Sequence, residues 1–484
     1  MSLIDLSRFE GCLFDGTWTP AVERQPVPEP ATGHTLFNVG SATPQEVATA
    51  AATARAAQPA WAKKPHKERA AIFRKAADLL DAHADAITPT LMRESGSIAP
   101  KIGVELQMAA GICREAAAMC SQPAGLMLPA DDGRISLARR VPHGVVGVIS
   151  PFNFPLILSI RAVAPALAAG NAVVLKPDLR TPILGGFLIA RIFEEAGLPA
   201  GCLHVLPGGA GAGEAMCIDR NIAMISFTGS TAVGSRVGEL AGKHLKKVTL
   251  ELGGKNSLVV LDDADVAVAA SNAAWGCYLH QGQICMTTGL VFVHEKVYEP
   301  FLQALIAKAK HLPVGDPASG QVALGPIIDQ RQVARIDGIV RDTVAAGAVL
   351  EAGGTHDGPF FQPTVLTGVK PGMRSFEEEV FGPVASVVRF HDEDELVALA
   401  TRTEYGLTLG VITANVARGL ALAERIPTGI VHINDQTVGD DPSVPFGGRG
   451  ASGNGGRHGG PANWEEFAQW QWVTIDASAH AYPF

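Results

Sequence analysis

The stretch Phe227-Thr228-Gly229-Ser230-Thr231-Ala232-Val233-Gly234 decides the fold. It follows the apolar run Ala223-Met224-Ile225-Ser226-Phe227 and leads into a helical pattern, so a strand hands over to a helix across a glycine turn. The free backbone N–H groups and the helix dipole at such a junction can hold a pyrophosphate. Two earlier runs, Val145-Val146-Gly147-Val148-Ile149 and Ala172-Val173-Val174-Leu175, are equally apolar and each is followed by a turn and a helical pattern, from Ile183 to Glu195 after the second. Continuous apolar strands alternating with helices predict a buried parallel sheet with right-handed crossovers, a Rossmann-like half. The alternation returns after Gly254 with Ser257-Leu258-Val259-Val260-Leu261 and Gly429-Ile430-Val431-His432-Ile433-Asn434, predicting a second α/β domain and an active site between the two. Upstream, Thr43-Pro44-Gln45-Glu46 opens like a capped helix, and residues 44 to 120 read as largely helical.

With 484 residues, 47% of them hydrophobic, the chain can bury a large core shared by two or more domains. A net charge of -9 and the lack of a Lys/Arg tract argue against a nucleic-acid partner. An odd number of cysteines, the absence of a signal-like N-terminus and the absence of a long apolar stretch give the expectation of a cytoplasmic protein away from membranes. Cys12, Cys113, Cys120, Cys202, Cys217 and Cys277 have no C-x-x-C spacing and no His-rich surroundings, so they read as packing residues and no metal is expected.

Cys285 keeps different company. It lies in Leu279-His280-Gln281-Gly282-Gln283-Ile284-Cys285-Met286, with Glu251 upstream in Val248-Thr249-Leu250-Glu251-Leu252-Gly253-Gly254-Lys255. A thiol nucleophile and a distant general base can turn an aldehyde into a thioester and then hydrolyse it. Together these segments resemble the nucleophile and glutamate signatures of the NAD(P)-dependent aldehyde dehydrogenase superfamily, and the resemblance runs from about residue 10 to the end of the chain. It implies an α/β aldehyde dehydrogenase fold: a dinucleotide-binding domain from residues 1–123 and 143–254, a catalytic domain from 255–451, and a β-arm for oligomerisation from 124–142 and 467–484.

The same resemblance implies roles for individual residues. Cys285 is the nucleophile and Glu251 the base that deprotonates the hydrolytic water. Pro151-Phe152-Asn153-Phe154-Pro155 resembles the segment whose asparagine, with the cysteine's own N–H, forms the oxyanion hole; the residues alone would also allow Asn153 to cap a helix starting at Pro155. The usual G-x-G-x-x-G fingerprint is absent, and the F-T-G-S turn of the family takes its place, putting Gly229, Ser230 and Gly234 at the cofactor. Val174-Leu175-Lys176-Pro177-Asp178-Leu179 implies Lys176 on the adenosine ribose. Most relatives have Glu where this chain has Leu179; its loss removes one device for excluding NADP, and the adjacent Arg180 would help a phosphate. NAD is therefore the expected cofactor, with NADP tolerated. Glu378-Glu379-Val380-Phe381-Gly382-Pro383-Val384 implies Glu379 on the nicotinamide ribose and Phe381 against the ring, while Asn434 and Pro445-Phe446-Gly447-Gly448 resemble the downstream active-site segment.

By the same match Phe154, Ile157, Leu158, Ile284, Met286 and Phe446 form an apolar sleeve suited to a flat ring, although Ile157 and Leu158 read equally well as plain core. Several stretches, among them Val431-His432-Ile433-Asn434-Asp435-Gln436 and the terminus Tyr482-Pro483-Phe484, look closest to bacterial benzaldehyde dehydrogenases, with vanillin dehydrogenases as near neighbours. The function implied is oxidation of a benzaldehyde-like aromatic aldehyde to its acid. The alternatives are vanillin or another substituted benzaldehyde, then a semialdehyde whose carboxylate Arg161 would recruit, then a non-catalytic binding protein of the same fold. A CoA-acylating enzyme is disfavoured by the presence of Glu251. Arg134 to Val141 and Gln469 to Ile475 read as strands leaving the body of the molecule; unpaired they would invite aggregation, so a homodimer or homotetramer is expected.

Overall fold

The computed structural model of the protein describes residues 3–131 and 133–484. The ends of the expected first domain at residues 1 and 2, and position 132 of the expected arm, lie outside it. Two seven-stranded sheets dominate. The first runs in the order Lys247–Glu251, Met224–Thr228, Val145–Ile149, Ala172–Lys176, Leu203–Val205, Cys12–Phe14 and Trp18–Pro20. Its first five strands are parallel, and Val145–Ile149 is buried throughout, as apolar runs covered on both faces must be.

Helices Pro44–Lys63, His66–Ser95 and Ala99–Met119 occupy the stretch expected to be helical, and the first opens with a reciprocal capping box between Thr43 and Glu46. The Ile183 to Glu195 pattern is a single helix in sequence, but the chain starts it with a π-turn, Ile183–Phe187, before the α-helix Leu188–Ala196. Two local features favour the wider turn. Glu94 accepts the N–H groups of Ile183 and Leu184 at 2.6 and 2.8 Å, and a side chain at Gly186 would meet Pro177 and Val205 at 2.7 Å.

From the edge strand Lys247–Glu251 the chain crosses directly to Asn256–Val260, near the middle of the second sheet. That sheet runs Val349–Ala352, Thr364–Thr367, Val384–Phe390, Thr288–His294, Asn256–Val260, Thr408–Ile412 and Ile430–Ile433, and only its first pair is antiparallel. Glu251 thus sits at the seam between the two halves. A separate three-stranded antiparallel sheet joins Gly125–Leu128, Ile135–Pro142 and Ala468–Ile475. Met127, Trp470 and Trp472 are exposed on it. Among the described residues no helix is long and apolar enough to cross a membrane, and no cluster of His, Cys, Asp and Glu could hold a metal ion.

Candidate active site

A cavity of about 1070 Å³ opens between the two large sheets. Its walls hold Asn153 and Leu158 from the first half and Cys285, Glu379 and Phe381 from the second. Lys176, Gly229 and Ser230 line the other end, with Leu179 beside them.

Cys285 sits on a turn that the backbone cannot easily reshape. Asn256 donates its amide to the carbonyls of Cys285 and Thr287 at 2.7 and 2.9 Å and accepts the Thr408 N–H at 3.0 Å. The approach to the turn is left-handed at His280, Gln281 and Gly282, with φ of 47°, 56° and 68°. Only glycine fits the last of these, since a Cβ there would lie 2.1 Å from the carbonyl oxygen of Gly382. The strain is held by Gln281, whose amide donates to Pro326 at 2.9 Å, and by Gln283, which accepts the Ile328 N–H at 3.1 Å. Cys285 itself stays partly exposed while Ile284 and Met286 are buried. Its N–H makes no hydrogen bond among the described residues. Burial, and then the neighbouring Glu379, push the thiol up to about 12, against the pull of Arg161.

Glu251 is 3% exposed. Neither of its carboxyl oxygens has a side-chain hydrogen-bond partner. Burial raises its pKa well above the usual carboxylate range, opposed by the cations Arg161 and Arg457. A Cβ at Gly447 would approach Glu251 Oε1 to 2.8 Å, so the glycine leaves the carboxyl room to turn.

Asn153 is 3% exposed and makes no side-chain hydrogen bond among the described residues. It does not cap the next helix: Pro155–Ala168 has Phe154 at its N-cap, without a side-chain cap. Ile284, Met286 and Phe446 form one buried cluster with Leu407, against which Phe154 and Cys285 pack. Ile157 is not in that sleeve; it packs into the core of the first half, as the face of an entirely buried helix does. Arg161 is 6% exposed and already spoken for by Asp440, so no bare cation stands there to recruit a carboxylate.

The cofactor end is similarly built. Helices Ala210–Ile218 and Thr231–Lys243 both begin at the cavity without a side-chain cap, leaving first-turn N–H groups for an anion. Lys176 reaches in from the end of its strand, its Nζ donating to the Gly208 carbonyl at 2.8 Å. Glu379 accepts the Gly254 N–H at 3.0 Å, and burial raises its carboxyl to about 7. Phe381, at φ 55°, sets its ring edge-on to Phe152 at 6.0 Å. These groups fit a dinucleotide. Two expectations need correction. Gly234 does not reach the cavity; a Cβ there would strike Leu252 at 2.3 Å, so this glycine lets the helix settle on the strand that follows. Arg180 is not a free phosphate ligand, because it grips Asp178 at 2.8 Å and Asp329 at 2.7 Å and lies over the Phe152 ring at 4.0 Å.

The model of the aldehyde dehydrogenase family matches residues 18–473. The chain belongs to the aldehyde dehydrogenase family. It is 56% identical to a vanillin dehydrogenase of an Amycolatopsis species, over 100% of both chains, and 49% identical to the benzaldehyde dehydrogenase [NAD(+)] of Pseudomonas putida, over 98% of both. The structure of a salicylaldehyde dehydrogenase from Pseudomonas putida G7, complexed with salicylaldehyde, superposes with a TM-score of 0.94 at 34% identity, over 98% of this chain and 99% of that one.

Sequence reasoning missed several residues that build the site of this aldehyde dehydrogenase. Asn256 sits in a strand that looked merely apolar, and its link to Cys285 spans two strands. Asp440 carried no motif. Lys101 and Glu105 show only an i,i+4 charge pair, which in sequence looks like a solvated helix face.

Proposed function

We propose that this aldehyde dehydrogenase oxidises an aromatic aldehyde of the benzaldehyde type to its carboxylic acid, with NAD as the preferred hydride acceptor and NADP tolerated. The observation that carries the reading is Glu251: a carboxyl 3% exposed, with no side-chain hydrogen-bond partner, close enough to the partly exposed Cys285 of the cavity to help raise its thiol. A buried carboxyl kept clear of side-chain partners, with its proton affinity raised by burial, is suited to serve as a base toward water.

The chemistry follows from the residues. Cys285 passes its proton to solvent water and its sulfur adds to the aldehyde carbon. The oxygen becomes an alkoxide, met by the Asn153 amide and the uncommitted Cys285 N–H. A dinucleotide held by Lys176, Gly229, Ser230 and Glu379 would supply a hydride acceptor, and loss of hydride from the tetrahedral carbon would leave a thioester on Cys285. Glu251, whose proton affinity burial raises, acts as its carboxylate: it takes a proton from the water that attacks this thioester and returns it to the departing sulfur, so the acid leaves as the thiol is restored.

The aromatic preference is supported by the buried sleeve of Phe154, Ile284, Met286 and Phe446, by the substrates named for the relatives above, and by the pairing of Arg161, which disfavours a semialdehyde. Vanillin and other ring-substituted benzaldehydes are the second reading, favoured by the higher identity to the Amycolatopsis protein. The exposed aromatic side chains of the three-stranded sheet support a homo-oligomer, dimer or tetramer, in which that sheet is covered. The test is kcat/KM over benzaldehyde, vanillin, hexanal and succinate semialdehyde. The two aromatic compounds should lead, and a preference for the semialdehyde would overturn the reading.

A further inference from the structure

Lys101 and Glu105 form an ion pair at 2.5 Å with side chains 1% and 0% exposed, one turn apart on Ala99–Met119. Neither lines the cavity. Burying two charges in this way is costly, and an apolar pair of similar volume would stabilise the fold as well or better. What the pair touches is therefore informative. Lys101 Nζ donates to the backbone carbonyl of Asn153 at 2.8 Å and stands 4.3 Å over the ring of Phe154. Glu105 Oε1 accepts the N–H of Leu156 at 3.2 Å, in the first turn of Pro155–Ala168, a helix whose own N-cap offers no side chain. Between them the two charges grip the loop on both sides of one peptide. His280, on the strained approach to Cys285, meets Phe154 edge-on at 5.5 Å and also faces Lys101 and the backbone of Asn153.

We propose that Lys101 and Glu105 are positioning residues that set the peptide plane of Asn153, and so aim its amide at the oxygen of the bound aldehyde. This rests on the reading of Asn153 as oxyanion donor. The argument is geometric: a side-chain amide can be placed only as well as its backbone, and the Asn153 carbonyl is held by an ammonium whose own position is fixed by a carboxylate anchored in the next helix. A donor misplaced by about 1 Å loses roughly 100-fold in rate, and loss of an oxyanion donor outright costs on the order of 10²–10³.

The experiment is a double-mutant cycle read in the pre-steady-state burst of NADH formation, with benzaldehyde as substrate. The paired variant Lys101→Met/Glu105→Gln removes both charges, so that no lone charge is left buried, and keeps an amide oxygen for the Leu156 N–H. It should slow the burst about 10- to 100-fold, leave the KM for NAD within about twofold, and keep a cooperative thermal transition. Asn153→Ala alone should slow the burst at least as much. Adding the paired change to Asn153→Ala should then alter the burst less than about twofold, because the residue it positions is gone. A burst in the paired variant within about twofold of wild type would overturn the proposal, and so would an equal fold-loss in both backgrounds, which would mean a general structural effect. Asn153→Ala with a wild-type burst would instead overturn the oxyanion reading on which the proposal rests.

Discussion

Arg161 and Asp440 form a buried ion pair in which one guanidinium nitrogen donates to both carboxylate oxygens, at 3.1 and 2.9 Å, while the guanidinium lies 4.3 Å over the ring of Phe446. The arrangement turns a charged residue into part of an apolar wall. Burial raises the Asp440 carboxyl, and the Arg161 guanidinium beside it opposes the rise. Asp440→Asn should leave the arginine with an uncompensated charge facing the ring-binding cluster. The ratio of kcat/KM for succinate semialdehyde to that for benzaldehyde should then rise by about tenfold or more, about 1.4 kcal/mol of discrimination. An unchanged ratio would mean that Arg161 does not face the substrate.

Cys285→Ala should abolish oxidation while leaving dinucleotide binding, followed by fluorescence quenching, intact. Residual kcat above about a thousandth of wild type would exclude covalent catalysis through this thiol.

Glu251→Gln should separate the half-reactions. Hydride transfer needs no base for water, so a burst of NADH should be followed by a slow steady state. Equal losses in both phases would mean that Glu251 also deprotonates Cys285, whose thiol is otherwise held near 12.

Leu179 lines the cofactor end of the cavity, and its neighbour Arg180 is tied up by two aspartates. The side chain neither hydrogen-bonds a 2′-hydroxyl nor repels a 2′-phosphate. NADP should therefore be turned over at a measurable rate, and Leu179→Glu should sharpen the preference for NAD by about 2 to 4 kcal/mol. Wild-type enzyme inactive with millimolar NADP would refute this account of Leu179.

Glu94 offers a pH test away from the chemistry. Burial raises its carboxyl to about 8, although two backbone N–H groups favour the charged form. A folded pKa above the unfolded value means that the native state binds the extra proton. The contribution is thus complete below about 4.5 and is lost as pH rises through about 8. Glu94→Gln should flatten the fall of Tm between pH 5 and 9 in differential scanning calorimetry. A variant whose Tm falls over that range as steeply as wild type would place the titration elsewhere.

Much of this molecule could be read from its strands and turns. Apolar runs such as Val145–Ile149 announce buried parallel strands because a sheet covered on both faces leaves no polar alternation. The turn after Thr228 and the motif around Cys285 were legible because their glycines and flanking residues are contiguous in the chain, whereas the left-handed backbone at His280 and Gln281 left no mark in the sequence. What stayed hidden depends on distance in the chain. The pairing of Arg161 with Asp440 joins positions far apart in sequence, as does the grip of Asn256 on Cys285. Gly234 and Arg180 depart from expectation for the opposite reason: each adjoins residues that line the cavity, yet the glycine packs on Leu252 and the arginine is paired with Asp178 and Asp329.

The short crossing from Lys247–Glu251 to Asn256–Val260 limits how this enzyme can be taken apart. Glu251 ends a strand of one sheet, its carbonyl accepting the Gly229 N–H at 3.0 Å, whereas Cys285 is anchored through Asn256 to the inner strand Asn256–Val260 of the other. A break at this crossing would leave each fragment with one member of the proposed nucleophile–base couple. Chimaeras that join halves from two relatives here would inherit the couple from different parents, matched only as well as the few residues that span it.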